Sequence, residues 1–190
     1  MNRARLEAAP RPEHEHPAKH FKRSYLAIPD VIWVPFSCAF LMLIPGVLSL
    51  LLREPWLFPS LAPTALLLTA TPRLPSAKLY NSLAGHLLAI GTGLLMAVVF
   101  QLAGHPPVLV AGKIDPPRIW ATIVGMAVLP FLQILLRAIN PPAAATLLLI
   151  TLGAFKPHWG EIRYLVLGIL VTVFAGEILR RVRLAQPGQS

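Results

Sequence analysis

Apolar residues in this chain come in blocks, without the short polar and apolar alternation of a soluble strand or surface helix. Four blocks are long: Val31 to Leu52, Tyr80 to Ala103, Arg118 to Arg137 and Ile162 to Leu184. Each has about the 20 residues that a helix needs to cross some 30 Å of hydrocarbon. Two further blocks, Leu57 to Thr71 and Asn140 to Gly153, are shorter. At 1.5 Å per residue the second is roughly 20 Å long, the length of a half-helix rather than of a comfortable span. The pattern predicts an all-α membrane protein of two repeats, each a long helix, a short or broken helix and a long helix. The repeats cover about 31–103 and about 118–184, separated by a polar connection with Lys113 and Asp115-Pro116-Pro117.

The second short block has clear ends. Asn140 can cap a helix that Pro141 and Pro142 open, because proline lacks an N–H that the first turn could not use, and Gly153 is a natural stop. A helix that begins inside a membrane leaves its first N–H groups in need of acceptors from protein, water or ligand. Ala143 and Ala144 are the first residues past the prolines with an N–H, and their small side chains leave that backbone open to an anion. The same alanines equally suit close helix packing. Sliding the short blocks together pairs Ser60-Leu61-Ala62-Pro63-Thr64-Ala65-Leu66 with Pro141-Pro142-Ala143-Ala144-Ala145-Thr146-Leu147. Paired interrupted segments at corresponding places point to a transporter site near the bilayer midplane. Ser60, as a cap of the first short helix, with Ala62, Thr64, Asn81, His86, Asn140, Ala143, Ala144 and Thr146, makes up the expected substrate site.

Composition narrows the class. The chain is 55% hydrophobic and 13% charged, too apolar for a soluble domain of 190 residues to cover with polar surface. The net charge of +9 sits at the ends of apolar blocks and not in an aromatic-interleaved patch, so it argues for membrane orientation and against nucleic acid. The single cysteine, Cys38, allows no intrachain disulfide. Residues 1–30 read as a polar, disordered cytoplasmic tail ahead of one membrane domain at 31–190. The start has no apolar stretch of a cleaved signal, so insertion is expected to rely on the first membrane helix. His14, His16 and His20 could form a weak metal site, with a solvated tail the commoner outcome; no cofactor is expected. If each short block completes a crossing, three crossings per half invert the second repeat and place both termini inside. If each re-enters, the halves are parallel. Six crossings are the expectation, with the cluster Arg180, Arg181 and Arg183 inside.

His86 is the only histidine within a long block, and an ionisable residue there is a candidate for anion binding or proton carriage; its plainer role is to bridge helices. Glu177 lies one turn before Arg180 and Arg181, the spacing of a snorkelling ion pair. Gly168, Thr172 and Gly176 recur every four residues, which predicts a close helix contact, with a contact between subunits as one form of it. Paired carboxylates, a nucleophile triad and a phosphate-binding glycine loop are absent, so no enzyme is expected.

At Asn140-Pro-Pro-Ala-Ala-Ala-Thr-Leu-Leu-Leu, at Leu61-Ala62-Pro63-Thr64 and at Asn81-Ser-Leu-Ala-Gly-His86, the chain resembles the HPP family of integral membrane proteins, named for a His-Pro-Pro signature followed by small residues and Thr. The likeness runs from about Pro59 to the end. Asn140 stands where the signature has His, and Tyr80 where the family often has a basic residue. Members from photosynthetic lineages are implicated in nitrite transport, so the resemblance implies small-anion transport. The expectation is a small transporter or channel for an inorganic monovalent anion, nitrite the family-implied candidate, in a bacterial inner membrane. Its expected partners are the lipid bilayer, the anion and further copies of itself, since 20.7 kDa is small for a complete alternating-access machine. The alternative is a non-transporting membrane scaffold or sensor.

Overall fold

The computed structural model describes residues 28–186, and among these there are helices and no strands. The tail expected over residues 1–30, and with it the histidines at 14, 16 and 20, lies almost wholly outside the described residues. Four helices are long and apolar enough to cross a membrane: α1 (Asp30–Leu52), α3 (Leu79–Val99), α5 (Pro116–Leu135) and α7 (Trp159–Leu184). Between them lie two short apolar helices, α2 (Leu61–Ala70) and α6 (Ala143–Thr151), and a single turn, α4 (Val108–Ala111), that the hydropathy pattern did not suggest. At 10 and 9 residues, α2 and α6 are each about 15 Å long, half the thickness of the hydrocarbon. Pro35 and Pro45 do not interrupt α1, nor Pro130 α5, as membrane helices tolerate where neighbours and local adjustments re-satisfy the freed carbonyls.

Contacts sort the helix ends onto two faces. On one face, the Arg183 guanidinium meets the Asp30 carboxylate, Arg180 Nη1 donates to Pro72 O at 3.1 Å, and Tyr80 Oη donates to Leu136 O at 3.0 Å. That face collects the starts of α1 and α3 and the ends of α2, α5 and α7. On the other face, Val108 N–H donates to Leu152 O at 3.0 Å, Trp56 lies edge-on to Tyr164 at 6.1 Å, and Phe58 edge-on to Phe155 at 5.4 Å. It collects the ends of α1, α3 and α6 and the starts of α5 and α7. The chain thus passes between the faces six times, with residues 53–60 and 137–142 as non-helical lead-ins that complete the two short passages.

α3 packs on α5, α6 and α7, while α7 packs on α1, α2 and α3. Glycines allow the short helices to come close. A Cβ on Gly85 would stand 2.5 Å from Asn140 Cβ and 3.2 Å from Ala138 O; one on Gly168 would stand 2.7 Å from Phe58 Cε1 and 3.1 Å from Trp56 O. Eight residues further along each helix, Gly93 meets Ile150 of α6 and Gly176 meets Leu68 of α2. The close contact expected at Gly168 and Gly176 is therefore made within the chain, against α2 and its lead-in. Glu177 holds Arg180 Nε at 2.6 Å and Arg181 Nε at 2.7 Å, the ion pair that the spacing predicts.

Candidate functional site

Thr64 and Thr146 are each the fourth residue of a short helix, and both face inward to His86 of α3. Thr64 Oγ1 lies 2.9 Å from His86 Nε2, and Thr146 Oγ1 2.8 Å from His86 Nδ1. All three side chains are wholly buried. Donor counting fixes the proton. The one hydroxyl hydrogen of Thr64 goes to Ser60 O at 2.9 Å, so Thr64 can only accept from the ring, and Nε2 carries the hydrogen. Nδ1 is then bare and accepts from the Thr146 hydroxyl. The ring is satisfied as a neutral imidazole that ties α2, α3 and α6 together. The structural pairing is Thr64 with Thr146, one residue out of step with the pairing expected from the sequence, because the surrounding Ala and Leu runs align about equally well in either register.

Asn140 builds the start of α6. Its Oδ1 accepts the Ala143 N–H at 3.1 Å, and its Nδ2 donates to Ser76 O at 3.1 Å and to Ser82 Oγ at 3.4 Å. Gln133 closes on the same residue, with Nε2 donating to Asn140 O and Oε1 accepting Asn140 N–H. The capping expected of Asn140 is present, with both prolines ahead of the helix and not in its first turn. Two expected features differ. The amides of Ala143 and Ala144 are not bare, since Ala143 is held by Asn140 and the Ala144 N–H donates to Pro141 O at 3.1 Å; a polar side chain three residues ahead of a helix readily folds back on its orphan donors. Ser60 makes no side-chain cap on α2, and its hydroxyl is buried without a partner.

The other candidate residues spread out. Ala62 is exposed on the outer side of α2, because at 100° per residue a position two before Thr64 lies on the opposite face. Asn81 is buried one turn and a residue before His86, where Nδ2 donates to Arg137 O and Ile139 O, both at 3.3 Å. It secures the lead-in to α6 and does not touch His86. The structure therefore joins His86, Thr64 and Thr146, with Ser60 behind Thr64 and Asn140 and Ala143 behind Thr146.

Three cavities of about 530, 280 and 340 Å³ indent the described residues, and none of these three is lined by His86. The largest opens on the face where α6 ends, between Leu102, His105, Arg118, Ile150, Lys156 and His158. Arg118, which the sequence suggests is only a charge at the end of a span, is 3% exposed there. Its Nε donates to Pro106 O at 2.9 Å, Nη1 to Thr151 O at 2.8 Å, and Nη2 to His105 O at 2.7 Å and Leu102 O at 3.4 Å. The available signal was the glycine at 153, which takes φ +84° and where an added Cβ would stand 2.8 Å from Arg118 Nη1. Among the described residues no group of three His, Cys, Asp or Glu could hold a metal ion.

The family model described as HPP, transmembrane region, matches residues 24–186. No curated protein and no solved structure matches the chain.

Proposed function

Because this chain belongs to the HPP transmembrane-region family, we propose that it is a small transporter or channel for an inorganic monovalent anion, with nitrite the first candidate. The observation that carries this reading is the His86 bridge between the first turns of two half-length helices that come from opposite faces. A side chain that can ionise is costly in a bilayer and is a functional hypothesis there by default. Helix starts favour negative charge, and the donors at this junction suit a small anion: the imidazole N–H, the Thr146 hydroxyl and the idle Ser60 hydroxyl. Separation of Thr64 or Thr146 from the ring would turn these donors from one another toward a guest.

The matched close contacts, Gly85 with Asn140 and Gly168 with Phe58, then Gly93 with Ile150 and Gly176 with Leu68, support inverted halves that could rock about the junction. We read the face with Arg73, Lys78, Arg137, Arg180, Arg181 and Arg183 as the cytoplasmic one, of a bacterial inner membrane, because six further basic residues precede α1 in the sequence, against Arg53, Lys113, Arg118, Lys156 and Arg163 for the other face. Exposed apolar side chains on α1 and α5, among them Phe36, Phe40, Phe131 and Ile134, serve lipid and a homo-oligomeric contact. No covalent chemistry is assigned to the chain.

Proteoliposomes loaded with nitrite, nitrate, formate or chloride test the reading. Anion flux above that of protein-free vesicles, lost in a folded His86→Ala variant, is expected; absence of flux for all four overturns it. A second reading, a membrane scaffold or sensor that transports nothing, is favoured by the capped Ala143 amide and by the dense packing at His86. It predicts a co-purifying partner and no flux.

A further inference from the structure

The 530 Å³ cavity lies at one face of the molecule, at the end of α6, where its lining residue Ile150 stands one turn past Thr146 of the His86 junction, and its lining is divided in character. Leu102 and Ile150 give it an apolar floor that is buried, while Arg118 stands in its wall and Lys156 is exposed at its rim. The four carbonyls on Arg118 take four of its hydrogens and bring dipoles, not a counter-charge. Among the described residues no carboxylate hydrogen-bonds to the guanidinium, although Asp115, one turn back and against His105 at 3.4 Å, is near enough to act on its charge, and Glu161, 3.6 Å from His158, accepts the Lys156 backbone N–H at 2.6 Å. Of the five N–H donors in a guanidinium, four are used, and one Nη1 hydrogen has no partner among the described residues. A water occupies about 30 Å³ of liquid, so the space is many times what a triatomic anion fills. It falls instead in the range of pockets that hold organic molecules by apolar walls and a few placed polar groups.

We propose that this cavity binds an anionic group carried on an apolar body, with the anion between Arg118 and Lys156 and the body against Leu102 and Ile150. The chemistry fits two sources, a soluble short-chain carboxylate or the headgroup of an anionic lipid. The site stands apart from the transport reading, because binding is measured without flux.

The test uses the full chain in phosphatidylcholine nanodiscs, with equilibrium dialysis of radiolabelled hexanoate, formate and hexanol. Saturable hexanoate binding is expected if the source is soluble, with formate at least about tenfold weaker because it has no apolar body to bury, and hexanol unbound because it brings no charge to Arg118 and Lys156. A parallel arm replaces part of the lipid with phosphatidylglycerol and reads retained lipid by native mass spectrometry. Two variants keep Arg118 in place: Lys156→Gln at the exposed rim, and Ala103→Trp, an exposed lining position whose enlargement blocks the space. Loss of either ligand in Ala103→Trp, with several-fold weakening in Lys156→Gln, supports the site and identifies its source by arm. Absence of binding in both arms, or binding that neither variant alters, overturns it.

Discussion

Thr64 and Thr146, residues from opposite halves of the chain, share one imidazole, at 2.9 Å from Nε2 and 2.8 Å from Nδ1 of His86. The two contacts are chemically unequal. Thr64 accepts from the ring and donates to Ser60 O, whereas Thr146 donates to the ring. Thr64→Val would leave a buried N–H without an acceptor, which proteins avoid more strictly than a bare lone pair. Each valine variant is expected to cost about 1–3 kcal/mol, with Thr64→Val the worse. The double variant should fall short of the sum by about 0.5 kcal/mol or more, since both act through one ring. Reversible unfolding in mixed micelles measures this, and strict additivity would show that the ring does not couple the helices.

Asn140 supplies a cap and two donors at once, to Ala143 N–H, Ser76 O and Ser82 Oγ. Asn140→Asp keeps the acceptor for Ala143 but replaces the donors with a buried negative oxygen facing Ser76 O. It should be more destabilised than Asn140→Ala, whose loss of the cap alone is about 1 kcal/mol. Equal stability of the two variants would mean that the new negative oxygen facing Ser76 O costs no more than the retained cap restores.

Gly85 and Gly91 share a helix and differ in surroundings. A methyl at Gly85 would collide with Asn140 Cβ, while one at Gly91 meets nothing within 4 Å. Gly85→Ala should lower stability by about 1–3 kcal/mol through overpacking, and Gly91→Ala should leave it unchanged or raise it by up to about 1 kcal/mol. Thermal unfolding of the two proteins side by side checks the contrast.

Gly153 is constrained twice, by its φ of +84° and by Arg118, whose Nη1 an added Cβ would meet at 2.8 Å. Gly153→Ala is expected to cost about 1–2 kcal/mol for the left-handed backbone alone, and more as the guanidinium is pushed from Thr151 O and His105 O. A melting temperature equal to that of the unaltered protein would contradict this close approach.

The six passages place Arg73 and Lys113 on opposite faces. In a Cys38→Ser background, which keeps a hydroxyl for the Thr69 contact at 3.0 Å, a membrane-impermeant thiol reagent should label Arg73→Cys and Lys113→Cys from opposite sides of sealed vesicles. Labelling of both from one side would require the short helices to turn back.

Block length and caps alone carried a good part of this molecule. Six apolar segments, the order long, short, long in each half, the fold-back of Asn140 and the Glu177 ion pair all follow from residues close together in sequence, where hydropathy and helix-end chemistry act locally. His86 stood out because it is the one histidine inside a long apolar block. Tertiary structure decided the rest. In a bilayer the lipid-facing and core-facing sides of a helix are both apolar, so periodicity does not say which side is inward. The exposure of Ala62, the inward turn of Thr64 and the match of Thr64 with Thr146 therefore appear only when the helices are packed. The same holds for Arg118: its burial depends on carbonyls from residues 102, 105, 106 and 151 meeting at one point, a convergence that no stretch of sequence contains.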